Sequence, residues 1–229
     1  MPRNNKTVSF LTSSYRKLQA NLADLWESRH RGQNDPKSTE DFPPSHQSKT
    51  LNKAMLPPDV VAKRISHVSV KDSKFHAFIG HNWGKDENNH KRVLALHRSI
   101  KTQGVRAWVD QERIHGNILD EITAGLEDSR MFVACITKDY MDKVAGKNKQ
   151  APNDWCQLEF QRAFRLFGAA NMIAVVMDNE VLDSSKWRGS VATVFANSIV
   201  IDFTSDARLD DATKELCARI AGLLSPANA

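Results

Sequence analysis

Five short apolar runs, "FHAFIG" (75–80), "VRAWV" (105–109), "MFVACIT" (131–137), "MIAVVM" (172–177) and "SIVIDF" (198–203), constrain this chain more than any other feature. Each is continuous rather than alternating, and rich in β-branched or aromatic residues. A strand with one wet face alternates apolar and polar positions. A continuous run suits a strand covered on both faces, as in a parallel sheet. Helical periodicity fills the intervals. Val93, Leu94, Leu96, His97 and Ile100 share one face of 86–102, and Ile118, Ile122, Gly125 and Leu126 do so in 117–128. Cys156, Phe160, Ala163, Phe164 and Phe167 mark 154–167, and Leu209, Ala212, Leu216, Ile220 and Leu223 mark a closing helix. Between the last two runs a helix is only faintly written. This alternation predicts a doubly wound α/β domain with a five-stranded parallel sheet over 71–229.

Residues 1–70 read differently. They are rich in Ser, Asn, Lys and Pro, and "FPPSHQSKT" and "LPPD" break regular structure. Leu11, Tyr15, Leu18, Leu22, Leu25 and Trp26 recur at helical spacing, so an amphipathic helix is expected over 9–28, followed by a Pro-rich linker. The segment is thus a helical or disordered N-terminal extension. Arg3, Lys6, Arg16 and Lys17 precede the first acid, Asp24. That pattern suits an organellar presequence, peripheral membrane contact, self-association, or a helix docked on its own domain. The extension carries 11 Lys/Arg against 6 Asp/Glu, and the remainder 21 against 21. The pI near 9.1 is therefore a property of the extension. A specific nucleic-acid partner is not expected, because the folded part lacks the net basic charge such binding uses.

No apolar run is long enough to span a bilayer. Cys135, Cys156 and Cys217 are far apart and odd in number, which argues against a disulfide framework and fits a reducing, cytoplasmic setting. No metal-ligand spacing is visible, and no metal site is expected. His90 and His97, seven apart on a helix, read as surface residues.

A doubly wound sheet binds ligands at the carboxyl ends of its strands, near the point where strand order reverses. The loops there are "GHNWGKDENN", "DQERIHGN" and "KDYMDKVAGKNKQAPND". None is a G-x-G-x-x-G or G-x-x-x-x-G-K-[ST] loop, so neither a Rossmann redox enzyme nor a P-loop NTPase is expected. His81-Asn82 and Thr137-Lys138 stand where a phospho-receiver would carry its acids. Farther on, "NDWCQLEF" (153–160) begins a helix. Asp154 is placed to cap it, with Gln157 completing a capping-box pattern. Trp155 and Glu159, four apart, share one stripe, expected along the margin of the apolar face and toward the crevice.

Taken together, "FHAFIGHNWG", "AWVDQERIHGNI" and "DSRMFVACITKDYM…NDWCQLEF" resemble the first-strand box, the loop after strand two and the third strand with its helix in TIR (Toll/interleukin receptor) domains, over roughly 74–225. "HNWGKDENNH" and "GNILDEITAGLEDS" are also similar to TIR-like domains of single-celled eukaryotes. The resemblance implies the flavodoxin-like TIR fold. It implies one of two activities: cleavage of NAD+ in signalling, cell death or defence, or non-catalytic adaptor function through homotypic TIR–TIR contacts. In the enzymes the glutamate of the "W-x-x-x-E" turn is catalytic, and here that position is Glu159, with Trp155 beside it. NAD+ is then a substrate, no cofactor is implied, and activity belongs to an assembly. Gly80, His81, Asn82, Trp83, Asp110 and Glu112 fall where substrate contacts are expected. Departures from the pattern are Gly80-His81-Asn82-Trp83 in the first box and a long, lysine-rich loop between Lys138 and Asp154.

The chemistry such a site must perform is undemanding in one respect. Nicotinamide in NAD+ is cationic and leaves neutral, so no acid need protonate it, unlike the leaving oxygen in ordinary glycoside hydrolysis. One carboxylate suffices to bond the ribose hydroxyls, stabilise the oxocarbenium-like centre and orient the nucleophile. An aromatic face near the cation, from Trp155 or Trp83, adds about 0.5–2 kcal/mol. The same residues also admit plainer roles: Trp155 as cover for the helix start, Glu159 as a solvated helix residue, and Asp110 and Glu112 as local turn partners. A nucleoside-processing enzyme of similar fold is a third reading, separable by its substrate.

Overall fold

The computed structural model describes residues 56–66, 73–110, 117–147, 154–195 and 198–224. The expected amphipathic helix at 9–28, and the candidate Glu112, lie outside the described residues. Within them, α1 (Pro58–Ser66) precedes β1 (Ala77–His81), α2 (Asn88–Thr102), β2 (Ala107–Trp108) and α3 (Ile118–Glu127). Then come β3 (Phe132–Ile136), α4 (Lys138–Val144), α5 (Trp155–Phe167), β4 (Met172–Val176), α6 (Gly189–Phe195), β5 (Ile201–Asp202) and α7 (Leu209–Leu223). All strand pairings are parallel, in the order β2-β1-β3-β4-β5. All five predicted strands form, and the order reverses between β1 and β3.

Side chains of successive strand residues alternate between two apolar layers. Ala77, Ile79, Val133, Cys135, Ile173 and Val175 face a layer closed by α1, α2 and α7. Phe78, Phe132, Ala134, Ile136, Ala174 and Val176 face one closed by α3, α4, α5 and α6. With both faces covered, no polar residue interrupts β3 or β4. Two glycines permit the closest approaches. A Cβ on Gly80 would sit 2.2 Å from Cζ of Phe132, and one on Gly125 would sit 2.6 Å from Cε2 of Trp108.

Two elements depart from expectation. Residues 58–66, assigned above to a linker, form α1, which packs on α7 and buries Ile65. Residues 138–144, assigned to a loop, form α4, capped by Thr137, whose hydroxyl accepts from Tyr140 N. Tyr140 is wholly buried against Phe160. The faintly written helix before β5 resolves into 3₁₀ turns and the short α6.

Candidate functional site at the carboxyl end of the sheet

The ends of β1, β2 and β3 and the start of α5 converge where the strand order reverses. Asp154 caps α5 as predicted, its side chain accepting from Cys156 N at 3.0 Å. Asn117 caps α3 in the same way, accepting from Leu119 N at 3.1 Å. The cap brings α5 up to β1, where Cys156 Sγ meets the His81 carbonyl oxygen at 3.5 Å. One turn on, Glu159 is 7 % exposed and so is no solvated helix residue. Burial pushes its carboxyl well above the usual range, and the charges of Asp110 and Asp154 push it further. Asp154 is itself buried, with Lys143 Nζ 3.5 Å away.

Asp110 joins the first two loops. Its Oδ2 accepts from the Trp83 indole N–H at 2.8 Å. Its Oδ1 lies 3.8 Å from both His81 Nε2 and His90 Nδ1. Those two nitrogens are 2.6 Å apart and share a hydrogen bond. The rings are nearly coplanar, and Trp83 stacks on His90 at 4.4 Å between centroids. Burial lowers the pKa of His81, opposed by Asp110 and reinforced by His90, so the imidazole is neutral at pH 7. The 3.8 Å contact with Asp110 is accordingly not an ion pair.

His90 is thus a correction to the sequence reading. It is 1 % exposed, not a surface residue, and His97 is 2 % exposed with Nε2 3.3 Å from the Ala107 carbonyl oxygen. Both lie on the stripe that buries Val93 and Ile100. The signal was present in that spacing, but residue type argued the other way.

Asn82 turns from this cluster toward the other side of the crevice. It donates to Asp139 Oδ2 at 2.8 Å and accepts from the Thr137 hydroxyl at 2.7 Å. Asn89, which the sequence reading did not single out, donates to the Asn82 carbonyl at 2.7 Å. These residues line a cavity of about 540 Å³ with Arg92, Lys138 and Asp178. The structure therefore brings His81, Trp83 and Asp110 into one cluster near Glu159, and sets Asn82 on an adjoining cavity. Gly80 lies within β1 beneath Phe132, and Trp155 lies inside the second apolar layer at 3 % exposure, not along its margin. No helix among the described residues is long and apolar enough to cross a membrane.

The chain is similar to the TIR domain of the Toll-related receptor TRR-2 from the lower metazoan Hydra magnipapillata. That match has 14 % identity and a TM-score of 0.42, covering 64 % of this chain and 98 % of that one. It is also similar to the TIR domains of the activated Roq1 resistosome, which directly recognises the pathogen effector XopQ. There the identity is 16 % and the TM-score 0.34, with 64 % of this chain and 83 % of that one covered. No curated protein matches it. The TIR-domain family model matches residues 78–217, from β1 into α7. With that match spanning all five strands and the crevice between them, the chain belongs to the TIR-domain family.

Proposed function

We propose that this TIR domain cleaves the nicotinamide–ribose bond of NAD+, releasing nicotinamide and ADP-ribose or a cyclic form of it, and acts as an assembly in signalling, cell death or defence. The observation that carries the reading is the burial of Glu159 beside Asp110 and Asp154 at the carboxyl end of the sheet. A desolvated carboxyl with anionic neighbours is costly to ionise alone, and its charged form is favoured when a cation arrives beside it. The nicotinamide ring of NAD+ supplies such a cation. Once ionised, Glu159 would stabilise the oxocarbenium-like centre and orient the nucleophile, while neutral His81 and the Trp83 indole would border the ligand. Asn82, on the adjoining cavity, would meet its more polar half.

The test is purified protein at high concentration with NAD+, followed by chromatography of released nicotinamide. Turnover by wild type and a loss of about 100-fold or more in Glu159→Ala, within the range for a removed acid–base group, support the reading. Absent turnover from the assembled protein, or equal turnover from the variant, overturns it. The alternative is a non-catalytic adaptor working through TIR–TIR contact. It draws on the apolar side chains exposed on α5, Leu158, Phe164 and Leu166, with Leu119 on α3. Self-association without nicotinamide release would select it.

A further inference from the structure

We propose that His81, His90 and Asp110 form a binding site for one zinc-class dication, with His81 Nε2, His90 Nδ1 and Asp110 Oδ1 as its ligands. Two imidazoles and a carboxylate are a donor set suited to Zn²⁺. One ligand atom from each side chain falls within 4.8 Å of the others, and all three residues are buried. A tetrahedral ion with bonds of about 2.0–2.1 Å holds its ligands roughly 3.3 Å apart. The separations here, 2.6, 3.8 and 3.8 Å, straddle that value. A shift of the His90 ring by under about 1 Å evens them to the distances such bonds require.

The surrounding contacts of two of the three ligands, His81 and Asp110, also match a metal site. Metal-bound histidines characteristically give their second N–H to a backbone carbonyl or carboxylate, and bound carboxylates are themselves hydrogen-bonded. The His81 ring has a hydrogen bond to the backbone of Ile79; since Nε2 faces His90, that bond belongs to Nδ1. The Trp83 indole holds Oδ2 of Asp110, so that Oδ1 is the oxygen turned to the imidazoles. Trp83 also fixes the His90 ring by stacking.

The 2.6 Å contact joins His81 Nε2 to His90 Nδ1, so the two ring nitrogens proposed as ligands face each other. With Nδ1–H of His81 directed to Ile79, its Nε2 carries a lone pair and accepts from Nδ1–H of His90. The other His90 nitrogen, Nε2, is buried and without a hydrogen-bond partner among the described residues. When the ion binds, the proton held between the two facing nitrogens is displaced, as metal binding to imidazole requires. Both inward nitrogens then become donors to the metal.

The test uses the full chain, stripped with a chelator and titrated with Zn²⁺ alone by calorimetry, with Co²⁺ as a spectroscopic substitute. The expected result is one equivalent per chain and the intense visible absorption of four-coordinate Co²⁺. His90→Phe keeps a ring against Trp83 and removes a ligand, and Asp110→Asn removes the anionic one. Each is expected to weaken Zn²⁺ binding by about 100-fold, at least the loss produced by an outer-shell change. His30→Ala with His46→Ala, in the extension, leaves the affinity unchanged. Circular dichroism checks folding; should His90→Phe fail to fold, the near-isosteric Asp110→Asn decides. Absence of saturable Zn²⁺ binding, or equal affinity in wild type and the cluster variants, overturns the proposal. The readout is ion binding without NAD+, so its outcome is independent of the nicotinamide assay.

Discussion

The Trp83 indole N–H donates to Asp110 Oδ2 at 2.8 Å, fastening the loop after β1 to the end of β2. Asp110 is thereby held where its charge acts on Glu159, as the largest influence there after burial itself.

This makes Glu159 a measurable liability. Its folded pKa lies above the unfolded one, so the native state binds the extra proton. Stability from that proton is complete below the unfolded value near 4.5 and is lost as pH rises toward the folded pKa. Glu159→Gln removes the penalty. It is expected to raise the melting temperature at pH 7–8 by on the order of 2–4 °C, the shift about 1 kcal/mol produces at this size. The difference should shrink as the pH is lowered to 4.5. Thermal melts across that range check it, and a variant less stable than wild type at pH 8 would contradict the assignment.

Gly80 and Gly125 are expected to tolerate no side chain. Gly80→Ala puts a methyl into the Phe132 ring, and Gly125→Ala puts one into the Trp108 indole. Each should cost about 1–3 kcal/mol by overpacking. Urea titration measures it. Phe132→Leu should return part of the loss in Gly80→Ala and none of it in Gly125→Ala, a specificity that general fragility would not show.

The helix α1 is expected to behave as part of the domain. Ile65→Ala should destabilise by about 2–4 kcal/mol, as buried Ile→Ala changes do. A chain beginning at residue 56 should melt with the full-length protein, and one beginning at 73 several degrees lower. Equal melting of all three would detach α1 from the core.

The thiols should be inert while the protein is folded. All three are buried. Burial raises Cys135 to about 12 and Cys217 to about 11, and burial with Asp154 and Glu159 nearby raises Cys156 as well. Since the thiolate is the reactive form, iodoacetamide at pH 8 should label none before denaturant and all three after. Mass spectrometry reads the count.

The sheet was legible because covered strands are written as unbroken apolar runs, and β3 and β4 show nothing else. Helices α2, α3, α5 and α7 followed from their apolar stripes. The helix α4 did not, because four of its seven residues are Lys or Asp and only Tyr140 and Val144 are buried. The capping role of Asp154 was readable, since a cap depends on neighbours in sequence. The pairing of His81 with His90 was not. It depends on the loop after β1 folding back so that Trp83 lies over α2, where the His90 amide donates to the Trp83 carbonyl at 3.1 Å. Trp155 was misplaced because one stripe holds it and Glu159, yet the indole enters the apolar layer.

Arg92 gives this arrangement a longer reach. Two residues beyond His90, it donates to the carbonyl oxygens of Met177 at 2.7 Å and Phe203 at 2.5 Å, and pairs with Asp206 at 2.8 Å. Those acceptors follow β4 and β5, so the guanidinium works as a tie-rod from α2 to the outer rim of the sheet. The far edge of the sheet is thus pinned by the same helix that delivers His90 to the crevice.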